Sequence, residues 1–271
     1  MTKCINIVRI YKYYLATTET QNTDLDTIPP RFCITFQRAS CWPRSKNSRI
    51  RLSDDRTQST TNIGTRSHDN FSKNCQNQDW AKISELCSMG EVVAVGECGL
   101  DYNRNFSPSK IQRTIFRKHL SLASEIGKPL FLHQRDAHQD FYNLLTEYRS
   151  ADLRGVVHCF TDSETALRDY LDLGLFIGIT GWVCDINRGE ELRRIVSFVP
   201  EDLLLVETDA PYLLPKNINP KPKSNRNEPC HLDSVVSMIS ECSGRSKNKI
   251  AQQTRLNAAK LFSLPALLSL D

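Results

Sequence analysis

The amino-acid sequence predicts an α/β protein built on a parallel β-sheet. From about residue 79 onward, short runs rich in Val, Ile and Leu alternate with stretches that carry helix start and stop signals. The apolar runs end near residues 96, 132, 157, 179 and 206. Successive ends lie 22 to 36 residues apart, the length of a βα unit, and right-handed crossovers between such units give a parallel sheet. Both a closed barrel and an open doubly wound sheet fit this pattern.

The predicted strands have the composition of strands buried on both faces, as in parallel sheets. Five of them span residues 92–96, 130–132, 155–157, 175–179 and 203–206. Two apolar runs closer to the N-terminus, CINIVRI at 4–10 and FCITF at 32–36, are interpreted as the first and second strands.

Helix signals fill the intervals between these runs. The predicted helices span residues 108–126, 136–148, 161–174, 189–198, 232–240 and 246–262. Gly127 and Pro200 mark the ends of two of them, and a capping box from Thr161 to Glu164 starts a third.

Length and composition indicate a globular protein. The chain has 271 residues, of which 39% are hydrophobic, enough for a sizeable core. No apolar stretch approaches the roughly 18 residues of a membrane span, and the N-terminus lacks the apolar segment of a secretory signal, so we expect a cytoplasmic protein that does not engage a membrane. Ten irregularly spaced cysteines without a CxxC pair favour reduced thiols.

Four side chains of metal-ligand type lie where apolar runs end. Glu97 follows VVAVG, His133 follows PLFL, His158 follows GVV, and Asp209 closes LLLVETD. In a parallel barrel the carboxyl ends of all strands share one rim, where side chains converge on a single site. Two imidazoles and two carboxylates suit Zn²⁺, Mn²⁺ or Mg²⁺, so we predict a divalent metal site.

A second acid accompanies Asp209. In the sequence ETD the strand period of two places Glu207 and Asp209 on the same face, so Asp209 can accept a proton from water while Glu207 holds a neighbour in place. A lone histidine is more often a core or surface residue than a ligand, and His119, His138 and His231 are interpreted in that way.

Glu207 and three further residues, Arg135, Arg226 and Trp182, are candidates for substrate contact. Arg135 lies two residues after His133, and Arg226 lies in a loop after the Asp209 strand, so each is placed to contact a phosphate. A salt bridge that shapes the loop is an equal alternative for each, with Glu228 the partner for Arg226. Trp182 follows another strand end, where it would stack on a base or, in the alternative we favour slightly, pack beneath the loop.

Six motifs occur in a familiar order: VVAVGECGLDYNRNF, LFLHQRDAH, VVHCFTDS, IGITGWVCD, LLLVETDAPYLLP and KPKSNRNEP. In order and spacing they resemble the motifs of the TatD family of metal-dependent deoxyribonucleases, close to its bacterial TatD branch, from about residue 79 to 262. The resemblance implies a TIM-like (α/β)8 barrel of the metal-dependent hydrolase kind.

The resemblance also implies roles for the site residues. Glu97 would bind or bridge metal, His133 and His158 would be ligands, and Asp209 would be a ligand and the base. The implied reaction is hydrolysis of DNA phosphodiester bonds, typically stepwise from the 3′ end of a single strand, with Mg²⁺ as the usual cofactor and Mn²⁺ or Zn²⁺ as alternatives. DNA is thus the expected partner, and a monomer is favoured.

The N-terminal quarter departs from the family pattern. Residues 1–75 carry 12 Lys and Arg against 6 Asp and Glu, and they lack the H-x-H pair that opens much of the family. In GTRSHD at 64–69, His68 matches a family position and is a further candidate for substrate contact, but Arg66 replaces the first histidine of the pattern. We therefore divide a single domain into an atypical segment, 1–75, in place of the first barrel units, and a hydrolase barrel, 76–271.

Three alternatives stay open at the level of sequence. Residues 1–60 have the length of two βα units but not their sequence pattern. A shift of reading frame or a wrong gene model would produce this. If the sequence is genuine, the barrel would be incomplete. The same metal site would also serve a hydrolase of carboxylic esters or amides. A catalytically impaired protein that binds nucleic acid is the third alternative.

Overall fold

The computed structural model describes residues 6–13, 31–37, 60–64, 77–90, 92–149 and 153–264, with side chains from residue 80 onward. Eight strands occur in these ranges: β1 (Asn6–Tyr13), β2 (Arg31–Gln37), β3 (Thr60–Gly64), β4 (Val92–Asp101), β5 (Leu130–Arg135), β6 (Gly155–Val157), β7 (Phe176–Ile179) and β8 (Leu204–Val206). They form one sheet in the order β2-β1-β3-β4-β5-β6-β7-β8.

Helices alternate with the strands from β3 onward. The same ranges contain α1 (Asn77–Cys87), α2 (Ser109–Ile126), α3 (His138–Glu147), α4 (Glu164–Asp172), α5 (Glu190–Ile195), α6 (Leu232–Ser243) and α7 (Lys247–Leu261). Of the 3-10 turns in these ranges, the one at Gly181–Cys184 follows β7 after one residue. None of the helices described has the length and hydropathy needed to cross a bilayer.

The predicted α/β class and parallel sheet are confirmed. Strands β3 to β8 pair in parallel through five consecutive ladders. The two N-terminal strands form where they were predicted, but β1 is antiparallel to both β2 and β3, so they do not follow the βα repeat. Within the described ranges no ladder joins β8 to β2. The parallel run from β3 to β8, with a helix after each strand, is that of a TIM-like barrel, and the first quarter of the sheet is atypical.

Most element boundaries agree with the sequence, with one clear correction. The five predicted strands coincide with β4 to β8, although β4 continues to Asp101 and β5 to Arg135. The predicted capping box at Thr161 is wrong: α4 begins at Glu164, and its cap is Ser163, whose Oγ accepts a hydrogen bond from Ala166 N at 3.3 Å. Neither β3 nor α1 was predicted.

The sheet has two buried faces, and one of them leads to the site. Its inner face contributes one side chain from each of five strands: Ala94, Phe131, Val156, Phe176 and Leu205. These residues pack with Leu261 and Phe262 at the end of α7. Because strand side chains alternate, the residues two positions further along β5 and β6 lie on the same face, towards the carboxyl ends of the strands.

Candidate metal centre

Three of the four predicted ligands meet on this inner face. Glu97 lies in β4, His133 lies near the end of β5, and His158 follows β6 directly. His133 and His158 are two positions beyond Phe131 and Val156, and the rings of Phe131 and His158 stack with centroids 4.9 Å apart. The Glu97 and His158 side chains are each 4% exposed and that of His133 is 12% exposed, so the cluster is nearly shielded from solvent.

The distances between the donor atoms are those of ligands around one ion. Glu97 Oε1 lies 3.2 Å from His133 Nδ1 and 3.3 Å from His158 Nε2. The two ring nitrogens are themselves 3.2 Å apart. Four ligands held tetrahedrally at 2.0–2.1 Å from a Zn²⁺ ion are about 3.3 Å from one another. The geometry of these three side chains therefore fits a single divalent cation.

A buried carboxylate behind His133 fixes the orientation of its ring. Asp101 Oδ2 lies 3.1 Å from His133 Nε2, which places the ring proton on Nε2 and leaves the Nδ1 lone pair facing the cluster. Asp101 in turn accepts a hydrogen bond from Arg104 N at 2.7 Å, and its backbone is held by the Gln112 amide. Asp101 was not predicted as a site residue, although it lies in β4, four positions after Glu97.

Glu207 plays the corresponding part behind His158. Its Oε2 lies 3.7 Å from His158 Nδ1, and its Oε1 accepts a hydrogen bond from Cys159 N at 2.5 Å. Glu207 is fully buried. Gly178 on β7 leaves the space for it, because a Cβ atom at that position would collide with Glu207 Oε1. His158 is thus oriented with Nε2 towards Glu97 and His133.

The cluster favours positive charge. Burial lowers the pKa of His158, but the carboxylates of Glu207 and Glu97 outweigh it and raise the pKa to about 10. A carboxylate oxygen and two imidazole nitrogens that converge at 3.2–3.3 Å need a cation between them, whether a proton or a metal ion. This set of donors, two nitrogens and one oxygen, suits a divalent ion of borderline or hard character.

Asp209 lies next to the cluster rather than within it. It follows Glu207 by two positions, in the left-handed backbone region with φ of 53°, which Asp tolerates better than most residues. Burial raises the pKa of its carboxyl to about 7, an effect that His158 opposes and Glu97 reinforces. The compact group of donor atoms consists of Glu97, His133 and His158. Asp209 thus has the position and the proton affinity of a base beside a metal.

The remaining predicted residues lie at several places. Arg135 is partly exposed at the end of β5. Arg226 is 72% exposed and has its Nε 3.8 Å from Glu228 Oε1, the salt bridge that was one of its two interpretations. His68 lies outside the described residues.

Trp182 packs in the 3-10 turn after β7. Its Nε1 donates a hydrogen bond to the Arg188 carbonyl at 3.1 Å, and the Arg188 guanidinium lies 4.3 Å above the ring. Packing within the loop, the interpretation favoured slightly from the sequence, describes this arrangement.

The three other histidines are occupied elsewhere. His119 is buried in α2 against the edge of Trp80, with centroids 5.0 Å apart. His138, the first residue of α3, bonds Tyr170 and Asp169 on α4. His231 contacts Asn227.

Comparisons with known proteins identify the family of this chain. The family described as TatD related DNase matches residues 45–263. The 3′-5′ ssDNA/RNA exonuclease TatD of Pectobacterium atrosepticum is 48% identical over 183 residues, which cover 68% of this chain and 70% of that protein. The protein of the same name from Yersinia pseudotuberculosis is 46% identical over 206 residues, covering 76% and 78%.

Two solved structures have a similar fold. A hydrolase of the TatD family from Entamoeba histolytica aligns with a TM-score of 0.66 at 26% identity, covering 73% of each chain. A TatD homolog from Escherichia coli k12 aligns with a TM-score of 0.64 at 26% identity, covering 71% of this chain and 73% of that one.

Proposed function

Because this chain belongs to the family of TatD related DNases, we propose that it is a metal-dependent nuclease that shortens single-stranded DNA from its 3′ end. The observation that carries the proposal is the convergence of Glu97, His133 and His158 at 3.2–3.3 Å on the inner face of the sheet. The curated relatives that support it are named as exonucleases of single-stranded DNA and RNA.

The residues of the cluster have separate tasks in this proposal. Glu97, His133 and His158 hold the cation, while Asp101 and Glu207 keep the two imidazole rings turned towards it. A bound divalent cation supplies positive charge to the phosphate oxygens and lowers the pKa of water. Asp209 completes the ligand set and takes the proton of the attacking water on its carboxylate, which its pKa of about 7 suits.

The cation and the substrate contacts are further parts of the proposal. We infer Mg²⁺ as the working metal, with Mn²⁺ and Zn²⁺ as alternatives. Arg135 and Arg226 are proposed phosphate contacts, and His68 is retained from the sequence pattern. For Glu207, predicted as a substrate contact, full burial and its bond to Cys159 N support orientation of His158 instead. The protein would act as a monomer in the cytoplasm.

A labelled oligonucleotide tests the reaction and its polarity. Purified protein with Mg²⁺ should convert a 5′-labelled single-stranded DNA 12-mer into a ladder that shortens one nucleotide at a time, and EDTA should stop it. Glu97→Gln should abolish the ladder, whereas Glu147→Gln, which changes an exposed carboxylate paired with Arg117, should not. Release of the labelled 5′ nucleotide first would refute the polarity.

Parallel substrates separate the remaining alternatives. An RNA oligonucleotide of the same sequence measures the preference between DNA and RNA. A panel of carboxylic esters and amides tests the alternative hydrolase, and activity on that panel without any on oligonucleotides would refute the nuclease.

A further inference from the structure

A cleft of about 330 Å³ lies between the loops that follow β7 and β8. Trp182 and Arg188 line it from the first loop, and Tyr212 and Lys216 line it from the second. Pockets of this volume accommodate small organic groups such as a nucleotide base. The two loops meet at Gly181, where a Cβ atom would collide with the Leu213 carbonyl oxygen. The cleft is therefore built by a fixed contact between neighbouring loops.

The cleft adjoins the metal centre. The backbone N–H of Tyr212 donates a hydrogen bond to the carbonyl of Asp209 at 2.9 Å. On the other loop, Thr180, which precedes Gly181, has its Oγ1 3.5 Å from Sγ of Cys159, the residue after His158. The lining of the cleft therefore begins two residues after Asp209 on one loop, at Pro211, and one residue after Thr180 on the other, at Gly181.

One wall of the cleft is rigid and the other offers an open aromatic ring. Arg188 is held to Asp185 by two contacts, at 2.7 and 3.0 Å, and covers a face of Trp182. Trp182 is therefore engaged by its own loop. Tyr212 is 54% exposed, which leaves its ring accessible for stacking. Aromatic rings that stack on bases are the common feature of sites for single-stranded nucleic acid.

The charge of the second loop matches a phosphate backbone. Residues 211–228 contain Lys216, Lys221, Lys223 and Arg226 and a single acid, Glu228. Within the described chain no carboxylate pairs with Lys216. At the end of β5, Arg135 is followed by Asp136, and the loop after β6 presents Asp162, so neither has a comparable excess of positive charge. Phosphates are therefore attracted to the β7–β8 side of the rim.

We propose that this cleft binds the nucleotide on the 5′ side of the scissile phosphate, with its base stacked on Tyr212 and its phosphate beside Lys216. The proposal rests on the nuclease function and adds the direction in which the uncleaved strand leaves the site. Stacking accepts any base, so the cleft holds single strands without sequence preference.

Binding measured in EDTA tests the cleft independently of catalysis. Fluorescence anisotropy with a labelled dT12 strand should give a Kd about tenfold weaker for Tyr212→Ala, whereas Tyr212→Phe, which keeps the ring, should bind as the wild type does. Lys216→Ala should lower the slope of log Kd against log salt by about 0.7, the value for one phosphate contact on a single strand. Phe198→Ala and Lys260→Ala are matched controls, because both residues are exposed and neither lines the cleft. Phe198 precedes β8, and Lys260 lies in α7.

Kinetics give a second readout. In the p-nitrophenyl ester of thymidine 5′-monophosphate, a nitrophenyl group replaces the strand on the 5′ side. The ratio of kcat/KM for dT12 to that for the ester should fall about tenfold in Tyr212→Ala relative to Phe198→Ala.

The outcomes separate the two proposals. If the wild type cleaves no oligonucleotide but binds dT12 about tenfold more tightly than Tyr212→Ala does, the nuclease function fails and the cleft stands as a binding site for single strands. If it cleaves dT12 and Tyr212→Ala matches Phe198→Ala in both Kd and kinetic ratio, the cleft is refuted and the nuclease function stands. Absence of any dT12 binding by the wild type at 50 mM salt, roughly the low-salt condition in which phosphate contacts are strongest, also refutes the cleft.

Discussion

At the scale of single residues, each imidazole of the candidate metal centre has one nitrogen towards the cluster and a carboxylate on the side of the other. Asp101 holds His133 Nε2 at 3.1 Å, and Glu207 lies 3.7 Å from His158 Nδ1. A carboxylate in this position fixes the tautomer and makes the opposite nitrogen a better donor. The affinity for metal should therefore depend on residues that do not touch it.

Asp101→Asn tests this dependence. The amide keeps the shape of the side chain and can still accept from Arg104 N, but it loses the charge that orients His133. We expect metal affinity to fall about 10- to 100-fold, measured by isothermal titration with Mn²⁺. Asp136→Asn is the control, since Asp136 is exposed and its left-handed φ of 52° suits Asn equally. Equal affinity in both variants would contradict the role of Asp101.

His119 makes stability depend on pH. Burial lowers its pKa to about 4, although the hydrogen bond between Nδ1 and the Ile115 carbonyl raises the pKa by a smaller amount. Below its ordinary pKa of about 6.5 the unfolded chain takes up a proton that the folded chain refuses, so stability falls as pH drops from about 6.5 to 4. The loss in the free energy of unfolding amounts to about 3 kcal/mol, at about 1.4 kcal/mol per pKa unit. Urea unfolding should show this slope in the wild type and a shallower one in His119→Leu.

At the scale of elements, alternation along the strands assembles the site. Phe131 and His133, Val156 and His158, and Leu205 and Glu207 are pairs two residues apart, the first packed in the core and the second at the rim. The strands could be predicted because Val-rich runs such as GVV at β6 are bounded by polar residues. β3 could not, because TTNIG contains a single strongly apolar residue, Ile63. The cap of α4 was misplaced because both Thr161 and Ser163 are good capping residues, and only the backbone geometry decides between them.

Gly178→Ala tests the space that β7 leaves for Glu207. The added methyl group would collide with Glu207 Oε1, so either the strand or the carboxylate must move. We expect a loss of about 1–3 kcal/mol in the free energy of unfolding, measured by urea denaturation, together with weaker metal binding as Glu207 shifts from His158. Gly90→Ala is the control, because a Cβ atom there meets nothing within 4 Å. Unchanged stability in Gly178→Ala would show that Glu207 relaxes without cost.

At the scale of the whole molecule, the four residues predicted from strand ends divide into three that form the donor cluster and one, Asp209, beside it. Strand ends could be located from sequence, but the reach of each side chain depends on backbone turns such as the positive φ of Asp209. Asp101 escaped prediction because the run VVAVG gave no sign that β4 continues for five more residues. The antiparallel placement of β1 likewise depends on pairing between distant segments, which local patterns do not encode.

Metal binding should stabilise the whole fold, because the donor cluster joins β4, β5 and the end of β6 and exists only when the sheet is formed. At a cation concentration 100 times Kd, the free energy of unfolding should rise by about 2.7 kcal/mol. For a chain of this size that corresponds to an increase in Tm of about 5–10 °C, measured by calorimetry with Mn²⁺ against EDTA. Glu97→Gln should lose the increase, whereas Glu147→Gln should keep it. An equal increase in Glu97→Gln would mean that the stabilising ion binds elsewhere, and the cluster of Glu97, His133 and His158 would then lose its assignment as the metal centre.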